Sequence, residues 1–319
     1  MRQKQQIIST PVLVLVGPTA IGKTALSLKI ADQFRCEIIS MDSMQVYRYM
    51  DIGTAKASPE ERAQVPHYLI DICDPDEQYN AARFVSDALN AIDDISARGK
   101  MPLITGGTGL YLSSLLNGLF TEVRVEESVR VEVHRQYKEK GREAAYAELL
   151  QVDSVTAERI HKNDTQRLLR GLEIFHSTGI PWSKHLEAQQ EQQPSISFEH
   201  LLVMGLTCER SRLYERIEKR AGMMMNSGLM EEVRNLQKMG FDAQLASMQA
   251  IGYRHAVQYL NGSKSLDVTI TELIRDTRRY AKRQMTWFRK QKQLKWYDHQ
   301  TDDTSVLVDI KRMIQKAQE

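Results

Sequence analysis

The amino-acid sequence predicts an α/β fold in which a doubly wound parallel sheet forms the core and a helical segment is inserted into it. In the first 120 residues, short apolar runs alternate with stretches whose apolar residues recur at helical spacing, which is typical of βα units. From about residue 122 to residue 195 the pattern is charged and helical, without a convincing strand. Strand character returns at His200–Leu206, so an interrupted core fits this order better than two domains in tandem.

The elements of the first half follow from apolar patterning. Val12–Val16 is apolar, rich in β-branched residues and bounded by Pro11 and Gly17, which predicts a strand buried on both faces. Asn80 is a residue type that caps helices, and the apolar spacing after it predicts a helix that ends near Arg98. By the same criteria we predict strands at Glu37–Ser40 and Pro102–Thr105, and helices at Lys23–Phe34 and Gly109–Leu116.

The later part of the chain predicts several helices up to about Lys292, a strand at Leu294–Tyr297 and a closing helix in the last dozen residues. The polar stretch Glu187–Pro194 predicts a solvated linker or loop. We therefore divide the chain into residues 1–120, the first part of the core; 121–197, the helical insertion; and 198–319, the completion of the core.

Composition excludes several classes of protein. The 319 residues are 42% hydrophobic, and their formal net charge of +2 does not by itself indicate a nucleic-acid binder. The three cysteines form no CxxC pair and the histidines show no HExxH spacing, so we expect neither a disulfide framework nor a zinc site. No stretch has the pattern of a signal peptide or a membrane span. We expect a soluble, cytoplasmic, monomeric protein that does not contact membranes.

The segment GPTAIGKT matches the phosphate-binding loop (P-loop) pattern GxxxxGK[ST] and lies between a predicted strand and a predicted helix, which is the context that this motif requires. In such a loop the backbone N–H groups face phosphate oxygens, the lysine supplies positive charge and the last hydroxyl can join the coordination shell of Mg²⁺. We predict a site for linked phosphates, with Thr24 as the magnesium ligand. Its members are Gly17, Pro18, Thr19, Ala20, Ile21, Gly22, Lys23 and Thr24.

A P-loop alone leaves three reaction classes open: an ATPase or GTPase, a small-molecule kinase, and a transferase whose leaving group is a diphosphate. An NTPase usually has an acidic residue after an apolar strand, to hold magnesium. Here the third predicted strand ends in Gly106–Gly109 (GGTG), and the one strand-end acid is Asp42. If the sheet is parallel, Asp42 faces the ligand crevice, where it could act as a base or as an outer-shell partner of magnesium. An aspartate after a strand is equally typical of a turn, so this alternative stays open.

The segment Arg275–Lys295 carries nine basic side chains and one acid, Asp276. Many of these basic residues recur at spacings of three and four, which fits either a solvated face of a core helix or a strip that neutralises RNA phosphates. Met223, Met224 and Met225 suggest a pocket for an apolar ligand, but packing of a core helix is the more frequent role of such residues.

Taken together, the motifs resemble the tRNA dimethylallyltransferase (tRNA isopentenyltransferase) family over nearly the whole chain and in the family's order. The family usually has serine at the position of Ile21, a spacer in the loop. The stretches that carry the resemblance are GPTAIGKT (Gly17–Thr24), ISMDSMQVYRYMDIGTAK (Ile39–Lys56), PHYLID (Pro66–Asp71), GGTGLY (Gly106–Tyr111), IHKNDTQRLLRGLE (Ile160–Glu173), AIGYR (Ala250–Arg254) and RRYAKRQMTWFRK (Arg278–Lys290).

This resemblance implies a P-loop core with a helical insertion that contacts the anticodon arm of tRNA. It also implies transfer of a dimethylallyl group from dimethylallyl diphosphate to the exocyclic amine of the adenosine just 3′ of the anticodon, with Mg²⁺. Asp42 would accept a proton from the amine, and Thr19 and Thr108 would lie at the reacting centre. Arg216 resembles a family arginine that contacts the diphosphate.

By the same resemblance, tRNA would be contacted by segments from both parts of the chain, and the target base would be flipped into a channel. Tyr253 offers a stacking face and Gly252 a close backbone approach. Two rival functions remain open, a P-loop small-molecule kinase or NTPase and a noncatalytic RNA-binding protein. The implied tRNA-binding residues are Asp42, Ser43, Met44, Gln45, Thr108, Arg130, Gln166, Arg167, Leu168, Leu169, Arg170, Gln249, Ala250, Ile251, Gly252, Tyr253, Arg254, Lys282, Arg283, Gln284, Met285, Thr286, Trp287, Phe288 and Arg289.

Overall fold

The computed structural model describes residues 6–118, 125–161, 163–190, 196–299, 301 and 303–318. The chain divides into two compact units, which we call the core unit (Met1–Leu116 with Ile196–Glu319) and the helical unit (Asn117–Ser195). The predicted domain boundary at residue 120 lies outside the described residues, and the one at residue 197 falls within a short strand.

The first part of the core unit contains β1 (Gln6–Ile8), β2 (Val12–Val16), α1 (Lys23–Phe34), β3 (Cys36–Met41), α2 (Pro59–Gln64), β4 (His67–Tyr68), α3 (Ala81–Ala97), β5 (Met101–Gly106) and α4 (Gly109–Asn117). The helical unit contains α5 (Glu127–Val152), α6 (Ser154–Arg159), α7 (Thr165–Thr178) and α8 (Trp182–Gln190). The core unit is completed by β6 (Ile196–Phe198), β7 (Leu201–Thr207), α9 (Arg210–Asn226), α10 (Leu229–Lys238), α11 (Tyr253–Leu260), α12 (Leu266–Phe288), β8 (Leu294–Asp298) and α13 (Asp303–Gln318).

A six-stranded parallel sheet organises the core unit, with strand order β4-β3-β5-β2-β7-β8. Val14 of β2 is paired with Ile104 on one side and Val203 on the other, and every residue of β2 is buried. This confirms the predicted doubly wound α/β class. Because the strand order reverses at β2, the carboxyl ends of β2, β3 and β5 meet at the crevice where such sheets bind ligands.

Local sequence explains most of these elements. The side chain of Asn80 accepts a hydrogen bond from the N–H of Arg83 at 2.9 Å, which confirms the predicted cap of α3. The late strand predicted at Leu294–Tyr297 is β8. The short strands β1, β4 and β6 were not predicted, because two or three residues carry no readable periodicity.

The helical unit has its own apolar core. The apolar face of α7, which includes Leu168 and Leu172, packs with Val133 and Leu149 of α5. Gly141 has non-helical angles (φ 80°, ψ 179°) and kinks α5, a conformation that glycine adopts without a steric penalty.

The predicted loop at Glu187–Pro194 is partly wrong. α8 continues to Gln190, because alanine, glutamine and glutamate all favour helix. The remainder of that stretch, residues 191–194, lies outside the described residues. Among the helices that the structure describes, none is both long and apolar enough to cross a membrane.

Candidate functional site

The P-loop connects β2 to α1. Gly22 has φ 106° and directly precedes the helix, a left-handed conformation that glycine adopts at little cost. Lys23 Nζ donates to the carbonyl oxygens of Gly17 and Pro18, both at 3.0 Å. Burial lowers the pKa of Lys23 to about 8, and the nearby charge of Asp42 partly offsets this shift. The loop therefore holds an ammonium group inside the protein, where a phosphate would be strongly attracted.

Asp42 follows the carboxyl end of β3. Its Oδ1 accepts from the backbone N–H groups of Met44 (2.9 Å) and Gln45 (3.4 Å), the pattern of an Asx turn. In the described part of the chain, no donor is hydrogen-bonded to Oδ2. One oxygen therefore fixes the side chain, and the other is left to accept a proton.

The turn after β5 supports this arrangement. Thr108 Oγ1 accepts from the N–H of Ser43 at 3.1 Å, which ties the turn to the residue after Asp42. A Cβ at Gly106 would lie 2.0 Å from the carbonyl oxygen of Met41, so only glycine allows β5 to run this close to β3. The glycine-rich motif thus keeps the ends of the two strands in contact.

Two cavities meet at these strand ends. The larger, about 510 Å³, lies along the P-loop, and we call it the loop cavity. The smaller, about 300 Å³, lies between the Asp42 turn, α11 and α12, and we call it the side cavity. The residues that line both, and so mark their junction, are Thr19, Asp42, Thr54, Arg220 and Tyr280.

The loop cavity is strongly cationic. Besides Lys23 it is lined by three basic residues of α9: Arg216, Lys219 and Arg220. Arg216 Nε donates to the carbonyl oxygen of Ala20 at 2.7 Å, and Arg220 Nη2 donates to that of Thr54 at 3.3 Å. Burial lowers the pKa of the Arg220 guanidinium, and Asp42 raises it in part. Four cations that face one cavity favour an anion with several charges.

The side cavity combines an apolar wall with polar groups. Ser43 and Met44 line it on one side, and Gln249, Ala250, Ile251, Tyr253 and Arg254 on another. Two segments that the resemblance implied for tRNA binding, 42–45 and 249–254, thus border one cavity. The volume of the side cavity, about 300 Å³, suits one planar ring system.

Residues 45–291, more than half of the chain, match the model of the IPP transferase family. The chain belongs to this family. The tRNA dimethylallyltransferase of Desulfotalea psychrophila is 51% identical to it over 302 residues, which cover 95% of each protein. That of Acetivibrio thermocellus is 44% identical over 303 residues, 94% of this chain and 96% of the relative.

Solved structures of similar proteins agree with this family membership. The full-length tRNA isopentenylpyrophosphate transferase of Bacillus halodurans is 37% identical and has a TM-score of 0.70, with 99% of this chain and 98% of that chain covered. A eukaryotic dimethylallyltransferase acting on tRNA is 29% identical and has a TM-score of 0.77, with 94% of this chain and 78% of that chain covered. The predicted family and its transferase class are confirmed, and these relatives support neither rival function.

α12 divides the residues implied for tRNA binding into two groups. Lys282, Arg283, Thr286 and Arg289 are exposed, whereas the side chains of Gln284 and Phe288 are buried. Gln284 accepts from the N–H of Thr19 and donates to the carbonyl oxygen of Gly107, both at 2.9 Å. In this structure it therefore joins the P-loop to the β5 turn and is not available to RNA.

Tyr253 also differs from the prediction of a stacking face. It is fully buried, and its hydroxyl donates to Glu232 at 2.7 Å. A Cβ at Gly53 would lie 2.5 Å from its ring, so the two residues pack directly on each other. The preceding Gly252 N–H donates to His255 Nδ1 at 3.2 Å, which fixes the start of α11. The tyrosine thus forms part of the cavity wall.

The helical unit holds the remaining predicted tRNA-binding residues. Gln166 and Arg167 are exposed on α7, and Arg170 pairs with Glu173 at 3.3 Å. Arg130 on α5 pairs with Glu127 at 3.0 Å. The side chains of Leu168 and Leu169 are packed in the core of the unit, because they lie on the apolar face of α7.

Sequence reasoning missed several residues of the site. Thr54, Lys219, Arg220 and Tyr280 line the loop cavity but belong to no phosphate motif. The spacing of Arg216 and Arg220, four residues apart on one helix, was the available signal. Of the three methionines, Met224 and Met225 pack on a core cluster as expected, whereas the exposed Met223 lines the loop cavity.

Proposed function

We propose that this enzyme transfers the dimethylallyl group of dimethylallyl diphosphate to the exocyclic amine of the adenosine 3′-adjacent to the tRNA anticodon. The observation that carries the proposal is the junction of the two cavities at Asp42. The cationic loop cavity suits the diphosphate, and the side cavity suits an adenine ring. The carbon and nitrogen that form the new bond would meet between them, beside the carboxylate.

The loop cavity fits the chemistry of the leaving group. As the amine nitrogen bonds to the first carbon of the dimethylallyl group, the bond from that carbon to the diphosphate oxygen breaks and negative charge moves to the diphosphate. Lys23, Arg216, Lys219 and Arg220 line this cavity, and fixed positive charges stabilise such a transition state. Gln284 holds the N–H of Thr19 in place at the same time.

Asp42 suits the role of base. The lone pair of an adenine amine is delocalised into the ring, so the amine is a weak nucleophile and its N–H becomes acidic as the new bond forms. A carboxylate that accepts this proton lowers the barrier to bond formation. Since Oδ1 is held by the N–H groups of Met44 and Gln45, the proton would go to Oδ2. Thr108 steadies the same turn through Ser43.

We further propose that Mg²⁺ accompanies the diphosphate. Thr24 lines the loop cavity next to Lys23, and one protein hydroxyl together with phosphate oxygens and water is a usual set of ligands for this ion. When bound, the ion would neutralise charge on the departing diphosphate. We also expect the enzyme to act in the cytoplasm and to be a monomer. Light scattering of the purified protein measures its mass in solution and so checks the oligomeric state.

The direct test is transfer of radiolabelled dimethylallyl to unmodified tRNA with Mg²⁺ and without ATP. We expect incorporation at the adenosine 3′ to the anticodon. The absence of incorporation by folded protein, on several tRNAs with that adenosine, contradicts the proposal. ATP hydrolysis or phosphoryl transfer at ordinary enzyme rates would support the kinase or NTPase alternative instead.

Asp42→Asn tests the base. The amide oxygen can still accept from Met44, so the turn is kept, while the proton acceptor is lost. We expect kcat to fall by roughly 10²–10⁴-fold with tRNA affinity within about twofold of the parent. Asp32→Asn, on the exposed face of α1, is the matched control and should change neither quantity. Equal losses in kcat and affinity contradict the base role.

A further inference from the structure

A third cavity, which we call the outer cavity, lies on another face of α12. Its volume is about 200 Å³, and it adjoins the P-loop at Pro18. Arg210 and Tyr214 of α9 border it on one side, and Lys282, Met285 and Arg289 of α12 on the other. No residue that lines the outer cavity also lines the loop cavity or the side cavity, so the outer cavity is a separate site.

Unpaired cations surround the outer cavity. Within the described part of the chain, Arg210, Lys282 and Arg289 have no carboxylate within the 4.0 Å of a salt bridge. Earlier on α12 the arginines are paired, for example Arg278 with Glu218 at 3.2 Å. Three like charges around one small cavity repel each other, and an anion bound there relieves that repulsion.

The floor of the cavity is apolar and one aromatic ring is held beside it. Pro18, Leu213 and Met285 supply the apolar surface. Arg210 Nε donates to the hydroxyl of Tyr214 at 2.9 Å, and the guanidinium carbons of Arg210 and Arg278 lie 5.0 and 4.9 Å from the ring centroid. The tyrosine is therefore fixed before any ligand binds. An apolar floor with an aromatic side chain and a cationic rim matches a base with its phosphate.

We propose that the outer cavity binds a second, unmodified nucleotide of the RNA substrate, with the base on the apolar floor and the phosphate at Arg210, Lys282 and Arg289. This inference rests on the proposed function, since it assumes that the target base occupies the side cavity. The volume is below the roughly 300–1,000 Å³ of sites for whole small ligands, which fits one base. Because α12 borders both cavities, one helix would hold the two nucleotides at a fixed separation.

Arg210→Gln and Tyr214→Leu are the test variants, and Arg212→Gln is the matched control. Arg212 is an exposed arginine of the same helix that does not line the outer cavity. We expect Tyr214→Leu to weaken binding of unmodified tRNA about fivefold or more. Arg210→Gln should also weaken it and reduce the slope of log K against log salt by about 0.7, the value for one phosphate contact on a single strand. The effect of Arg210→Gln is thus expected on tRNA affinity and its salt dependence, and Arg212→Gln should change neither of these nor kcat.

Cys208 gives a readout that does not depend on activity or on the folding of a variant. It lines the outer cavity, whereas Cys36 and Cys73 are buried. We expect unmodified tRNA to slow the alkylation of Cys208 by iodoacetamide, followed by mass spectrometry, and dimethylallyl diphosphate alone to leave it unchanged.

The outcomes separate the two proposals. In the first outcome, the parent transfers the dimethylallyl group, tRNA does not protect Cys208, and Arg210→Gln binds tRNA as tightly as Arg212→Gln does. The outer cavity then does not hold RNA, although the proposed function stands. If adenosine monophosphate at millimolar concentration protects Cys208 as well as tRNA does, and tRNA affinity is unchanged in Arg210→Gln, the cavity is a site for a free nucleotide and the inference is overturned.

Discussion

Lys23 illustrates how a single residue adapts to two states of the site. Without a ligand, its ammonium group donates to the carbonyl oxygens of Gly17 and Pro18, and burial lowers its pKa to about 8. The full negative charges of a diphosphate would stabilise the ammonium group more than the two carbonyl dipoles do, and so favour the charged form of the lysine. Ligand binding above pH 8 must therefore be accompanied by uptake of a proton.

This coupling predicts the pH dependence of ligand binding. The free enzyme loses the Lys23 proton as pH rises through about 8, while the complex keeps it, so affinity for dimethylallyl diphosphate should fall by up to tenfold per pH unit above that value. Calorimetric titration between pH 7 and 9.5 measures the effect. Lys23→Arg, which stays charged throughout, should show a flat profile over this range. Identical profiles for the parent and Lys23→Arg would contradict the assignment.

Individual residues were predictable where a local pattern carries the chemistry. The P-loop and Asp42 were recognised because a motif or a strand end fixes their place along the chain. Arg220 and Tyr280 were missed because they reach the junction only when α9 and α12 fold against the sheet. Gln284 was included among the tRNA-binding residues because the family resemblance implied the whole segment Lys282–Arg289, but its side chain is buried and bonded to the P-loop and the β5 turn.

At the scale of elements, one contact of α12 connects three parts of the active site. The amide of Gln284 joins the helix to the P-loop at Thr19 and to the β5 turn at Gly107, and it uses both its acceptor and its donor. An ionised glutamate of the same length could accept the first of these bonds but could not donate the second. The helix therefore fixes the spacing between the two loops, which both line the loop cavity.

Gln284→Leu removes both bonds and leaves the two backbone groups without their partners. We expect the free energy of unfolding to fall by about 1–3 kcal/mol, the cost of unsatisfied buried polar groups, and KM for dimethylallyl diphosphate to rise. Chemical denaturation and steady-state kinetics measure these changes. Gln237→Leu, at an exposed position of α10, serves as the control. Equal stability of the two variants would show that the Gln284 contacts contribute little.

The strands and helices themselves were predictable to different extents. β2 and β5 are apolar throughout because both of their faces are covered, and this pattern is visible in the sequence. β1 and β6 form only by pairing with each other across nearly 190 residues, which no local pattern reveals. The last residues of α8, 187–190, were predicted as part of a loop because polar residues suit a loop as well as an exposed helix.

Over the whole molecule, the distribution of charge matters more than the net charge of +2. The arginines in the middle of α12 are largely neutralised, since Arg275 pairs with Glu272 at 3.4 Å and Asp276 at 3.1 Å. Farther along the chain, among the residues that the structure describes, Arg289 and Lys290 have no carboxylate within 4.0 Å. Both are exposed, so the end of α12 presents free positive charge from a nearly neutral protein.

This asymmetry predicts which cations contribute to the salt dependence of tRNA binding. Each lysine or arginine that neutralises a phosphate adds about 0.7–0.9 to the slope of log K against log salt. Arg289→Gln and Lys290→Gln should each lower the slope by about that amount, as measured by filter binding between 50 and 300 mM salt, roughly the range in which such slopes are resolved. Arg275→Gln removes the same charge from an exposed position of the same helix, but from a residue already bound to two carboxylates, so the slope should not change. A loss of slope in Arg275→Gln equal to that in the other two variants would mean that net charge, rather than unpaired charge, governs binding.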